Sequence, residues 1–276
     1  MEATQKKNKY EIDMCNGTIM DKLISFALPL MVSSILQLLF NAAEGTVFQN
    51  QQLRQALTGI ARENADVPSS GLYTAAKGLV PDGLTVDGLD YRETAGDPLP
   101  AIPEPKALYL AARQGMATSD FSGVTLLLPK NAGLSELADQ INSAWQKECS
   151  LFFSVEEVEQ DEFDARIAAG KYTIALAPIR AEGGSVYQML QQFTTAGGSL
   201  TGYADTVYAD RLALSAQQTG KARCALLAQC EQQLLESCTV VPLMAQQKRL
   251  LLANDVRDLV FDPFFPVLDL TWAKMS

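Results

Sequence analysis

The chain has 276 residues with 47% hydrophobic and 20% charged side chains, enough apolar material for a sizeable core in one large or two ordinary domains. Its net charge of −10 argues against a phosphate-backbone partner, which needs clustered Lys and Arg, so nucleic acid is set aside. The chain has no histidine, which excludes a Ser-His-Asp triad, a Cys-His dyad and any His-containing zinc site.

In chain order, the first feature is an uncharged run over residues 23–43, LISFALPLMVSSILQLLFNAA. At about 1.5 Å per residue, a helix of this length spans a hydrocarbon core of about 30 Å. The segment is therefore predicted to be a membrane helix. Lys6, Lys7, Lys9 and Lys22 precede it and would hold the amino terminus in the cytoplasm. A secretory signal peptide and a buried hydrophobic helix are the competing readings. No second apolar stretch of this length follows, so transport by this chain alone is excluded.

From residue 50 onward short apolar strands alternate with amphipathic helices. Strands are predicted at 124–128, 150–155, 172–177, 240–243 and 249–253. Helices are predicted at 52–63, 105–114, 134–147, 162–169, 186–194, 208–217 and 221–236. This order predicts an α/β domain. Ser135 and Asp161 stand where helix N-caps are expected, and Gly170 where a helix should stop. The stretch 81–105 carries five prolines among Gly and Asp, and is expected to be a long ordered loop without regular structure.

The five cysteines, Cys15, Cys149, Cys224, Cys230 and Cys238, include no Cys-x-x-Cys pair and are read as buried small hydrophobes. The acidic run Glu156, Glu157, Glu159, Asp161, Glu162 and Asp164 is read as a solvated face at a helix start. Neither suggests a metal site, and no cofactor is expected. Thr219-Gly220-Lys221-Ala222 lacks the glycine spacing of a phosphate loop.

Two resemblances follow from these residues. The stretch MCNGTIMDKLISFALPLMVSSILQLLFNAAEGTVF, ending at Phe48, resembles the opening of a multidrug and toxic compound extrusion transporter. It departs from that family at Glu44, where an Asp is usual, and at Gln49 and Asn50, where a Gly-Arg pair is usual. The stretch NQQLRQALTGIAREN, with GVTLLLPKN, LADQINSAWQKE, LFFSVEEV, YTIALAPI, GYADTVYADRLALSAQ, RCALLAQCEQQLLES and VVPLMAQQKRLLL in order, resembles the second lobe of family 5 solute-binding proteins of peptide importers.

The resemblances imply a transporter-like start over residues 1–48 and a periplasmic-binding-protein-like lobe of type II over 49–276, truncated because most of the first lobe is missing. The implied function is capture of a peptide, without chemistry, for an ABC permease. Residues 48–276 would then lie outside the cytoplasmic membrane, anchored through 23–43. The second resemblance places an acid for the peptide's amino terminus after the third strand, where Glu182 is the nearest equivalent. Arg180 is a candidate for a ligand carboxylate, and Tyr187 and Tyr203 are candidate flat walls. Solvation of Arg180 and core packing of the tyrosines are the alternatives. Asp205 and Asp210 are expected to cap and flank a helix. A return of the chain to the missing lobe at 255–276 predicts exposed apolar surface around Leu259, Phe261, Phe264 and Phe265.

Overall fold

The computed structural model describes residues 34–66, 73–180, 185–194, 199–246 and four short strands between 256 and 275. The chain divides into two compact units, Ser33–Gln247 on one hand and Met1–Val32 with Lys248–Ser276 on the other. In the latter, Val256–Arg257 pairs with Lys274–Met275 and Val260–Phe261 with Leu268–Asp269. The strand expected at 249–253 and the side chains of Leu259, Phe261, Phe264 and Phe265 lie outside the described residues.

The larger unit is built on a six-stranded mixed sheet. Its strands are β1 (Ser34–Phe40), β2 (Tyr73–Ala75), β5 (Thr125–Pro129), β6 (Ser154–Val158), β7 (Ile174–Arg180) and β8 (Val240–Gln246), while β3 (Thr85–Val86) and β4 (Leu89–Asp90) form a separate hairpin. The order across the sheet is β2-β8-β1-β7-β5-β6. β5 runs parallel to β6 and β7, whereas β1 is antiparallel to both its neighbours. Among the described residues eight α-helices connect and cover the strands: α1 (Gln51–Asn64), α2 (Tyr91–Ala95), α3 (Pro105–Arg113), α4 (Ser135–Cys149), α5 (Gln160–Ala168), α6 (Val186–Gln191), α7 (Thr206–Ser215) and α8 (Gly220–Glu236).

β1 corrects the reading of the first 48 residues. Seven residues of the expected membrane helix, 34–40, are a strand laddered to β7 from Ser34↔Arg180 to Phe40↔Ile174 and to β8 from Ile35↔Ala245 to Leu39↔Val240. A strand buried on both faces carries a continuous apolar run, and hydropathy alone cannot distinguish it from a helix. Here the partners decide. The resemblance to an efflux transporter and its membrane helix over 23–43 do not hold; among the described residues no helix is long and apolar enough to cross a membrane. Residues 23–33 lie outside the described residues.

One face of the sheet presents Leu36, Leu38, Phe40, Leu126, Leu128, Ile174 and Leu176 to α1 and α4. α1 starts where Asn50 accepts from the Leu53 amide at 3.1 Å, which satisfies one of the helix's unpaired donors. Its Leu53, Ala56, Leu57 and Ile60 recur at helical spacing and are fully buried. Trp145 of α4 fills the space between, its indole Nε1 donating to Leu57 O at 2.9 Å and its ring 5.5 Å from Phe153. Arg54 is buried behind α1, donating to the carbonyls of Phe48, Gln49 and Ser237. Thus the Arg of Leu-Arg-Gln-Ala-Leu ties the helix start to the turn before β8.

Several helix ends differ in detail from expectation. Ser135 and Asp161 sit inside the first turns of α4 and α5; the N-cap residues are Leu134 and Glu159, and neither makes a side-chain cap bond. Ser135 Oγ donates instead to Glu157 at 2.7 Å. Gly170, at φ +64°, stops α5 as expected, and Asp205 caps α7 by accepting from the Tyr208 amide at 2.9 Å. The proline-rich stretch holds more structure than expected. Asp87 and Gly88 both have positive φ between β3 and β4, the backbone that a tight hairpin demands. Asp87 then reaches α8, accepting from the Gly220 amide at 2.7 Å and from Arg223 at 3.1 Å.

Four cysteines, Cys149, Cys224, Cys230 and Cys238, are buried free thiols, and Cys15 lies outside the described residues. Burial pushes the Cys149 and Cys230 thiols up to about 11, so they stay protonated and inert.

Candidate functional site

The candidate site follows from the direction of three strands. β5, β6 and β7 are parallel, so their carboxyl ends emerge at one edge of the sheet, the edge where open α/β sheets place their ligand loops. The segment after β5, Lys130 to Leu134, turns there with Asn131 at φ +60° and Gly133 at φ +69°. Its amide end is fixed by Lys130 N donating to Val158 O at 2.8 Å, and Lys130 Nζ pairs with Glu159 at 2.9 Å. The ion pair is solvent-exposed, so it orients the lip and contributes little stability. Pro-Lys-Asn-Ala-Gly after an apolar strand is a turn signature that could have marked this loop in the sequence.

β7 ends at the same edge. Its last residue, Arg180, pairs in the ladder with Ser34, the first residue of β1, and β8 ends beside them at Gln246. The chain therefore enters the unit on β1 and leaves it on β8, two hydrogen-bonded neighbours, at the edge where β5, β6 and β7 end. Glu182 and the side chain of Arg180 lie outside the described residues. Tyr187, half-buried in the first turn of α6, follows the Ser185 cap, whose Oγ accepts from the Gln188 amide at 3.3 Å.

Tyr203 is elsewhere. It follows a turn in which Tyr172 Oη donates to Leu200 O, Ala42 N donates to Thr201 O at 2.8 Å, and Gly202 packs against the Ala43 backbone. That turn adjoins the start of β7 and the end of β1, so about 20 Å of strand separates it from the Arg180 edge. The Tyr203 ring stands edge-on to Tyr208 at 5.5 Å, and its hydroxyl accepts from Gln233 at 3.4 Å. Burial, with Asp205 adding to it, pushes that hydroxyl up to about 12. Of the four residues named from the sequence, the backbone places Arg180 at one edge and Tyr203 at the other, while α6, which carries Tyr187, is tied to the Tyr203 turn by Tyr208 Oη donating to Leu190 O at 2.7 Å and Leu200 N donating to Gln192 O at 3.0 Å.

The acidic run is dispersed into pairs, with Arg166 bridging Glu156 at 2.7 Å and Glu162 at 2.6 Å. Among the described residues no group of three or more Cys, Asp or Glu could hold a metal ion.

No family model matches the chain, and no characterised protein matches it by sequence. Its fold is similar to that of several solved structures. They include the substrate-binding domain of an oligopeptide ABC transporter from Bacillus anthracis str. Ames (TM-score 0.69, 17% identity, 90% of this chain and 50% of that one). Listeria monocytogenes OppA bound to peptide is another (TM-score 0.67, 18% identity, 90% of this chain and 50% of that one). A third is the Escherichia coli murein tripeptide binding protein MppA (TM-score 0.62, 17% identity, 87% of this chain and 48% of that one). The chain thus spans about half the length of these structures. The α/β fold expected from the second resemblance is the observed one, and it is similar to about half of each of these structures.

Proposed function

We propose that this chain captures an extended peptide and presents it to an ABC permease outside the cytoplasmic membrane, without chemistry. The observation that carries the proposal is the single sheet edge at which β5, β6 and β7 end and at which the chain enters on β1 and leaves on β8. The turn after β5 and the end of β7 gather at that edge, which is where open α/β sheets place their ligands.

Within this reading Glu182 receives the peptide's amino terminus, Arg180 its carboxylate, and Tyr187 offers a flat wall. The solved structures of similar fold include one described as bound to peptide, which supports the ligand class. The absence of histidine supports capture over turnover.

Thermal unfolding of the full chain with and without a mixed pool of short peptides tests the proposal. A native-state ligand at a hundred times its Kd adds about 2.7 kcal/mol, a rise of roughly 5–10 °C for a unit of this size. Glu182→Gln should remove most of that rise for peptides with a free amino terminus and leave the unliganded midpoint unchanged. A midpoint indifferent to every peptide in the pool would sink the proposal.

A further inference from the structure

We infer that Gln37, at the middle of the central strand, holds an internal water molecule. This goes beyond peptide capture and does not depend on it. Gln37 is fully buried, and neither its Nε2 nor its Oε1 has a hydrogen-bond partner among the described residues. A primary amide offers two donors and two acceptor lone pairs, and leaving all of them dry inside a core is among the costlier things a fold can do. Its neighbours along the same face of β1, Ile35 and Leu39, are apolar and cannot serve it.

The strand pairing beside Gln37 is irregular. Between Leu36 and Gln37 the register with β8 shifts: Leu36 pairs with Met244 and Gln37 with Pro242, so Leu243 has no partner on β1. Such a bulge opens the ladder locally. On the other side Gln37 faces Ala177, a small side chain with no polar group. Pro242 has no amide hydrogen, so the strand opposite Gln37 lacks a donor at that position. A buried water makes two to four hydrogen bonds, and the unpartnered Gln37 amide offers it both a donor and an acceptor. A water there lets the amide donate and accept without leaving the core.

The test is made on the full chain. In protein labelled with 15N at glutamine side chains, the Gln37 amide should show a cross-peak to a long-lived water, assigned by its disappearance in Gln37→Met. The same variant removes the water's principal partner, so its unfolding midpoint should fall by about 2–4 °C. A dry amide predicts the reverse, because a methionine of similar shape would relieve an unsatisfied group. A midpoint unchanged or raised, or a Gln37 amide without a water cross-peak, overturns the inference.

Discussion

Replacing Glu231 by alanine is expected to lower the stability of the unit by about 3–5 kcal/mol, the cost of stranding a buried charge. Glu231 of α8 is fully buried and accepts three bonds from a distant stretch of chain. Arg92 Nη2 donates at 2.5 Å, Tyr91 Oη at 2.9 Å and the Val80 amide at 2.9 Å. Arg92 is itself nearly buried, with 9% of its side chain exposed, and also donates to Val80 O. Removing the carboxylate leaves a guanidinium, a hydroxyl and an amide without their acceptor inside the core. The midpoint should fall by roughly 6–20 °C, read by circular dichroism on the full chain.

A second pair of variants separates the network from simple loss of packing. Replacing Glu231 and Arg92 together by leucine should cost less than Glu231→Ala alone, since no unpaired charge remains. Gly78→Ala should approach the damage of Glu231→Ala by another route, because an added Cβ would lie 2.6 Å from Glu231 Oε1 and 2.7 Å from Arg92 Nη2. If the leucine pair proved worse than the single alanine, the charges would not be what holds the proline-rich stretch to α8.

This network marks the limit of what the sequence discloses. Its partners stand 139 residues apart, and nothing local to Arg92 or Glu231 sets them apart from solvated charges. Helices α1, α3, α4, α7 and α8, by contrast, are legible because their turns carry periodic apolar residues or clear ends. Asp87-Gly88 was a hairpin signal hidden by the surrounding prolines, which point to loop. The candidate site is half legible. The place of Arg180 at the end of the last parallel strand follows from element order, but the place of Tyr203 at the opposite end does not, because composition does not record which end of a sheet a turn reaches.

The strand β1 is the other large expected effect. Leu38 is fully buried, paired with Leu176 on one side and Val241 on the other. A carboxylate there has no partner and no water, so Leu38→Asp should cost more than about 4 kcal/mol, a large part of the roughly 5–15 kcal/mol that holds a domain together. Leu110→Asp, at a side chain 59% exposed, should change little and serves as the control. Shortening tells the same story more severely. A chain starting at Phe48 would leave β7 and β8 facing each other across an empty strand position, each with a row of unpaired backbone groups. It should show no cooperative transition, whereas one starting at Ser33 should unfold as a unit. A cooperative transition in the shorter chain, close to that of the longer one, would mean that residues 34–40 are dispensable to the sheet. Pairing on both sides is what makes this apolar run a central strand.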